Sequence, residues 1–307
     1  MRFTRIYLCY DKHMLIVVVG PTGCGKTEIA LKLAEFYRAP IINADAFQIY
    51  KGMDVGTAKV ARGTEDYKRH SLLDIVIPNQ TYSVKRYQED FRKQYLEYKK
   101  TYDNIIVCGG TGLYIKAAIY DYQFEDEEET DVSDLEEMNN EELYALLKKL
   151  DPKARETIHM NNRKRVIRAI QIARTHDVNK SEGIDKQEHG LYFKDETVKF
   201  YFLNPNRDEL YKKINARVDL MMEKGLINEV KSLIAQFDLS QTAKAAIGYK
   251  EVIEYLEGEY SLEECVELIK KRTRNYAKRQ VTFFKHQLPC IEFNNKEALL
   301  EEAMKNE

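Results

Sequence analysis

The sequence is short of paired cysteines, of long apolar runs and of net charge, and each shortage closes off a class of protein. Its five cysteines (Cys9, Cys24, Cys108, Cys265 and Cys290) are scattered over 307 residues with no C-x-x-C pair. That spacing builds no zinc site, and an odd, dispersed set fits reduced thiols in a cytoplasmic protein. The longest aliphatic runs, such as Leu15–Val19, fall far below the ~20 apolar residues that a spanning helix needs. Met1–His13 carries Arg2, Arg5, Asp11 and Lys12 but no long apolar segment, so no secretory signal is expected there. Met14 opens the first core-like run, and two readings of the residues before it stay open: a ragged extension, or translation from an upstream start codon.

Net charge is almost absent as well. There are 48 Lys+Arg against 50 Asp+Glu, a formal charge of −2. Taken whole, that balance argues against a nucleic-acid partner, because such domains are usually basic. The average hides a segregation. Asp121–Glu142 holds twelve acidic residues and no basic one, and setting these aside leaves 38 acidic against 48 basic residues. The remainder, at +10, is basic enough to hold an RNA backbone. Chain length predicts about two domains at roughly 150 residues each, with enough chain for a well-buried core.

The order of apolar patterns predicts an open parallel sheet. Leu15–Val19 is a continuous β-branched run ending in glycine, as in a strand buried on both faces. Helical spacing follows over Thr27–Tyr37. Pro40–Asn43, Leu72–Ile77 and Asn104–Cys108 are further candidate strands, and Ser83 precedes a helical pattern through Tyr87, Phe91 and Tyr95. Strands alternating with helices imply right-handed βαβ units. The acidic run then reads as an exposed excursion, followed by helical patterns over Glu141–Leu150 and Arg163–Arg174 and a polar loop over Ser181–Glu188. Val198–Leu203 is strand-like. Helices are expected over Arg207–Glu223, Leu226–Phe237 and from Ser261, which forms a capping-box pattern with Glu264, to Phe284. Ile291–Phe293 reads as a last strand.

The sharpest motif is Gly20-Pro21-Thr22-Gly23-Cys24-Gly25-Lys26-Thr27, which satisfies G-x-x-x-x-G-K-[ST] in full. A buried strand precedes it and an amphipathic helix follows, as the motif requires. Its glycines let successive N–H groups cradle phosphate oxygens at the positive end of a helix. Lys26 reaches the outer phosphate, and the Thr27 hydroxyl is a candidate ligand for Mg²⁺. The loop specifies a diphosphate or triphosphate, not ATP in particular.

Asp45 follows the second strand-like run. The carboxyl ends of strands near the first strand line the crevice of an open α/β sheet, so Asp45 is a candidate general base or outer magnesium ligand. A turn aspartate is the plainer alternative. A further absence is informative here. An ordinary phosphate-loop ATPase carries an acidic residue at the end of a later strand, whereas Ile105–Cys108 ends in Gly109-Gly110-Thr111-Gly112. That counts against a motor or switch ATPase and suggests a loop where backbone and the Thr111 hydroxyl approach a ligand closely.

Taken together, several segments resemble the bacterial tRNA dimethylallyltransferases: GPTGCGKT (20–27), INADAFQIYKGMDVGTAK (42–59), YSV (82–84), GGTGLYIKA (109–117), and the stretches at 150–172, 217–230 and 247–285. The D-x-x-Q-x-Y-x-G-M-D-x-G-T-A-K and A-I-G-Y-K…Y-A-K-R-Q patterns are far more specific than the phosphate loop. The resemblance implies transfer of a dimethylallyl group from dimethylallyl diphosphate to the adenosine beside the anticodon, in tRNAs reading codons that begin with U. It implies Asp45, Thr111 and Arg217 as catalytic residues, with Arg217 joining Lys26, Thr27 and Mg²⁺ on the diphosphate. It implies tRNA contacts from Asp45, Ala46, Phe47 and Gln48, from Lys164, Arg165, Val166, Ile167 and Arg168, and from Arg272, Lys278 and Arg279. Ala46 and Phe47 depart from a more usual serine and its neighbour, Asn162 from an aspartate and Phe283 from a tryptophan.

Two acid-free basic runs are available as phosphate anchors: Arg163, Lys164, Arg165, Arg168 and Arg174, and the seven basic residues between Leu268 and Ile291. Phe47 and Tyr50 are candidate stacking surfaces or core residues. The expected fold is α/β: a three-layer, parallel-sheet, P-loop NTPase-like core over 14–120 and 196–307, with a mainly helical insertion at 121–195. The expected partners are the tRNA anticodon stem-loop and dimethylallyl diphosphate, with no membrane, on a cytoplasmic monomer. The alternatives are prenyl transfer to a free adenine nucleotide, which needs no extended basic helix, a small-molecule kinase, and a non-enzymatic RNA-binding ATPase.

Overall fold

A computed structural model of the chain describes residues 13–122, 124, 132–175 and 190–305. It divides into two compact units, Met1–Ile119 with Phe193–Glu307, and Tyr120–Tyr192.

The first unit is built on a parallel sheet. Its strands are β1 (Met14–Val19), β2 (Ile41–Asn43), β3 (His70–Ser71), β4 (Asn104–Gly109), β5 (Thr197–Leu203) and β6 (Ile291–Phe293), in the order β3-β2-β4-β1-β5-β6. Every pairing is parallel. β1 sits between β4 and β5, with Val19 level with Gly109 on one side and Phe202 on the other. The loops leaving these three strands therefore emerge at one edge. Leu15 through Val19 are all inaccessible, so helices cover both faces of the sheet, as a β-branched run without alternation demands.

One face carries α1 (Lys26–Phe36), whose Ile29, Ala30 and Leu33 pack on Ile16, Val18 and Ile106. After α2 (Glu65–Arg69), the long α3 (Val84–Lys99) buries Tyr87, Phe91 and Tyr95. The Ser83 side chain caps α3 by accepting from Arg86 N, worth about 1 kcal/mol in typical cases. Tyr87 stacks on Tyr114 of α4 (Gly112–Ile119), with centroids 4.1 Å apart, and donates its hydroxyl to Asn43 O at 3.0 Å.

The segment Leu72–Ile77 is not a strand. The sheet pairing stops at Ser71, and Leu72 and Asp74 have φ of 58° and 54°. The backbone turns there because the Asp74 carboxylate gathers Lys59 Nζ (2.7 Å), Arg62 Nη2 (2.6 Å) and Tyr67 Oη (2.7 Å). Only Val76 keeps a bridge, to Tyr50.

The second unit contains α5 (Ser133–Glu137), α6 (Asn140–Leu150), α7 (Ala154–Thr157) and α8 (Arg163–Thr175). Leu135, Leu143, Leu147, Val166 and Ile170 form its core. Of the acidic run, the acidic residues from Asp134 to Glu142 are exposed and helical. Asp134 and Glu136 sit in the first turn of α5, and Glu141 and Glu142 in that of α6, where carboxylates favour the helix dipole. Glu125–Glu129 and Asp131 lie outside the described residues, as do the polar loop over Ser181–Glu188 and residues 1–12.

The first unit resumes with α9 (Arg207–Glu223), α10 (Leu226–Gln236), α11 (Gln241–Lys244), α12 (Tyr249–Leu256), α13 (Leu262–Gln287) and α14 (Lys296–Ala303). The capping box of Ser261 and Glu264 is formed at the start of α13. Among the described residues, no helix is long and apolar enough to cross a membrane.

Candidate active site

The loop after β1 has the geometry its glycines allow. Gly23 and Gly25 have φ of 81° and 95°, a region open to glycine at no steric cost. Gly25 is the N-cap of α1, so the loop delivers its N–H groups to the positive end of that helix. Cys24 contributes its backbone alone. Its side chain is buried in the sheet–helix core, where burial pushes the thiol pKa up. Thr22, Lys26 and Thr27 line a polar cavity together with Asp45, Gly109 and Arg217.

Asp45 stands in a turn braced from three sides. Asn43, at the end of β2, is buried and donates to Leu72 O (3.1 Å) and Asp45 O (3.3 Å). Asp45 Oδ1 accepts from Phe47 N at 3.0 Å, the Asx-turn of the plainer reading. The loop after β4 supplies the third brace. Thr111 N donates to Ala44 O at 3.1 Å, and Ala46 N donates to Thr111 Oγ1 at 3.0 Å. The Thr111 hydroxyl oxygen thus braces the Asp45 turn as an acceptor.

The glycines of this second loop make room for neighbouring protein. A Cβ at Gly109 would lie 2.1 Å from Ala44 O, one at Gly110 2.4 Å from Gln280 Nε2, and one at Gly112 2.2 Å from the Phe283 ring. Phe283, one of the departures from the resembled family, packs here.

Arg217 reaches the site from α9 and is held by a bond from Nη2 to Thr57 O at 3.1 Å. Gln48 Nε2 donates to the same carbonyl at 3.2 Å. Burial pushes the Arg217 pKa down and the Asp45 carboxylate opposes that shift; a guanidinium stays charged regardless. Beyond Asp45 and Arg217 opens a second cavity of different character. Ile214, Val218, Met221, Ala246, Ile247 and Ile269 give it an aliphatic wall, with Phe47 and Tyr276 beside them. Thr22, Asp45 and Arg217 line both cavities and mark their junction.

Two residues of this junction were given no role in the sequence reading. Gln280, on α13, is buried and bridges the two glycine loops: Oε1 accepts from Thr22 N (2.9 Å) and Nε2 donates to Gly110 O (2.8 Å). Tyr276, one helical turn earlier, is pushed up to about 12 by burial, with the Asp45 charge adding to the effect. They are the first and last residues of the Y-A-K-R-Q pattern, whose basic residues alone had been given roles. Their i, i+4 spacing on the inward face was the available signal.

The basic residues divide once they are placed. Val166 is fully buried in the core of the second unit, so its side chain is not open to RNA, a correction to the expected contacts, whereas Ile167 packs partly buried against the same core. On the same helix, Lys164 and Arg165 are exposed and Arg168 is half-buried. Arg163 instead ties down Leu135 O (3.0 Å) and Glu136 O (2.8 Å), and Arg174 pairs with Asp134. On α13, Arg272 pairs with the buried Glu251 carboxylate at 2.7 Å. Lys270 pairs with Asp219, Arg274 bonds Asn215, and Lys285 pairs with Glu292. Lys271, Lys278 and Arg279 are exposed and have no carboxylate partner among the described residues. Tyr50, a candidate stacking surface, is fully buried, whereas Phe47 lines the aliphatic cavity.

Among the described residues, no group of three His, Cys, Asp or Glu side chains is arranged to hold a metal ion. The Thr27 hydroxyl and the Asp45 carboxylate are among the oxygen donors that line the cavity beside the phosphate loop.

Fold and site together define an α/β enzyme with a P-loop NTPase-like core in which the phosphate loop opens onto an aliphatic chamber. The IPP transferase family model matches residues 48–287. The tRNA dimethylallyltransferase of Anoxybacillus flavithermus is 40% identical over 295 residues, covering 95% of this chain and 94% of its own. That of Bacillus licheniformis is 41% identical over 290 residues, covering 92% and 91%. Among solved structures, a tRNA isopentenylpyrophosphate transferase from Staphylococcus epidermidis superposes with TM-score 0.68 at 36% identity, covering 95% of this chain and 97% of that one. A eukaryotic dimethylallyltransferase described as acting on tRNA superposes with TM-score 0.75 at 26% identity, covering 91% and 74%. The chain belongs to the tRNA dimethylallyltransferase (IPP transferase) family.

Proposed function

We propose that the protein transfers a dimethylallyl group from dimethylallyl diphosphate to the exocyclic amine of the tRNA adenosine 3′-adjacent to the anticodon, in tRNAs reading codons that begin with U, and releases diphosphate. The observation that carries this reading is the meeting of a polar, phosphate-loop cavity and an aliphatic cavity at Asp45 and Arg217. A diphosphate suits the first and a five-carbon allyl chain the second. A kinase would gain nothing from an aliphatic wall at that point.

The chemistry follows from the placement. An adenine amine is a poor nucleophile because its lone pair is delocalised into the ring. The Asp45 carboxylate takes its proton as the C–N bond forms, an effect typically worth 10²–10⁴-fold. With Oδ1 held by Phe47 N, Oδ2 is the oxygen offered to the amine. On the other side an allylic C–O bond breaks and charge builds on the departing diphosphate. The loop N–H groups, Lys26 and Arg217 stabilise that charge. Magnesium bound with the diphosphate would neutralise further phosphate charge, and its preference for few protein oxygens and several waters fits the Thr27 hydroxyl with Asp45 behind a water. The acceptor base leaves its stack to reach this point, with Phe47 as a surface to receive it. The exposed Lys164, Arg165, Lys278 and Arg279 serve as phosphate contacts.

The test is incubation with Mg²⁺, dimethylallyl diphosphate and total tRNA, followed by mass spectrometry of the digested nucleosides. Prenylated adenosine in tRNA is the expected product. Prenylated free adenine nucleotide without modified tRNA, or ATP turnover alone, would overturn the reading.

A further inference from the structure

Glu229, on α10, has been given no part in binding phosphate, base or RNA. Its carboxylate nonetheless collects three consecutive backbone N–H groups. Oε2 accepts from Asp54 (3.0 Å) and Val55 (2.7 Å), and Oε1 from Gly56 (3.1 Å). Tyr249 Oη donates to the same Oε1 at 2.5 Å. Successive N–H groups converging on one anion form an anion-binding nest. Here the anion is the protein's own side chain.

The nest is tight and leads to the site. A Cβ on Gly56 would lie 2.4 Å from the Tyr249 ring, so only glycine lets the segment pack this closely on the ring that also bonds Glu229. The next residue, Thr57, bonds its hydroxyl to Met53 O (2.7 Å) and turns its carbonyl to Arg217 Nη2 (3.1 Å) and Gln48 Nε2 (3.2 Å). The peptide that orients the Arg217 guanidinium therefore adjoins the three N–H groups held by Glu229.

We infer that Glu229 is a positioning residue for Arg217. It holds the 54–56 backbone so that the Thr57 carbonyl aims the guanidinium at the diphosphate. The inference rests on Arg217 binding that diphosphate.

The experiment compares wild type, Glu229→Gln, Tyr249→Phe, Arg217→Ala and the Glu229→Gln/Arg217→Ala double variant. Calorimetry reads the affinity for inorganic diphosphate with Mg²⁺, and steady-state transfer reads kcat and the KM for tRNA. An amide cannot accept at both ends, so Glu229→Gln is expected to weaken diphosphate binding about tenfold and to lower kcat. The KM for tRNA is expected to stay within about twofold, because the exposed Lys164, Arg165, Lys278 and Arg279 proposed as phosphate contacts are untouched. Tyr249→Phe, which leaves the nest intact, acts in the same direction by about threefold. In the Arg217→Ala background, Glu229→Gln adds less than about twofold, the signature of residues acting as one unit. A full tenfold penalty in that background would overturn the inference, as would unchanged diphosphate affinity in either folded single variant. The two claims fail separately: wild type that binds diphosphate yet prenylates no tRNA defeats the functional reading and leaves the Glu229–Arg217 coupling measurable.

Discussion

The loops after β1 and β4 are both glycine-rich, leave neighbouring strands at the same sheet edge, and do opposite jobs. The first spends its glycines on φ near 81° and 95°, so that N–H groups and Lys26 face a cavity. The second spends them on contact: Gly109 against Ala44 O, Gly110 against Gln280 and Gly112 against Phe283. One loop faces a cavity and the other clamps the Asp45 turn. Glycine counts do not separate these uses, because a missing Cβ serves a ligand and a neighbouring backbone equally well.

The sharpest way to break this contrast is to remove the group the clamp holds. Asp45→Asn keeps the shape of the turn and removes the base. Single-turnover transfer should fall about 10³-fold while tRNA affinity holds. Transfer at the wild-type rate would reduce Asp45 to the turn residue it also is. Next in size, Gly109→Ala places a methyl where Ala44 O already lies 2.1 Å away. Thermal unfolding should show a loss of about 3 kcal/mol, the upper range for overpacking. Unchanged stability would mean that the second loop is as free as the first.

Gln280→Leu tests whether the two loops depend on each other. It strands Thr22 N and Gly110 O in a buried site, and diphosphate affinity should fall about tenfold with a drop of several degrees in Tm. The smallest effect is the most discriminating along α13. Arg279→Ala should weaken tRNA binding a few-fold and reduce the slope of affinity against salt by about one. Arg272→Ala should leave that slope unchanged and cost about 2 kcal/mol of stability instead, because Glu251 loses a partner while almost fully buried. Equal salt slopes for the two variants would erase the distinction between outward and inward basic residues.

Much of this was legible in the chain. The β1 run, the loop into α1, the Ser83 cap and the capping box at Ser261 were readable because each depends on residues within a few positions of one another. Asp45 was readable as a carboxylate at the end of a strand. Leu72–Ile77 misled because its apolar spacing is strand-like while its backbone obeys Asp74, whose partners Lys59, Arg62 and Tyr67 lie up to fifteen positions away. The ion pair of Arg272 was not legible in an acid-free run of bases, because its partner Glu251 lies 21 positions upstream.

By itself the sequence determined the phosphate loop, the parallel α/β order and the membership of a family. These rest on local periodicity and on motifs whose physics is contained in eight or ten residues. Only the tertiary structure decided what surrounds the chemistry: the aliphatic wall from α9 and α13, the Gln280 bridge to Thr22 across 258 positions, and the chain of contacts from Glu229 through Thr57 to Arg217. The reason is geometric. A hydrogen bond or a van der Waals contact is set by ångström distances in space, and sequence periodicity reports such distances only within a single helix or strand.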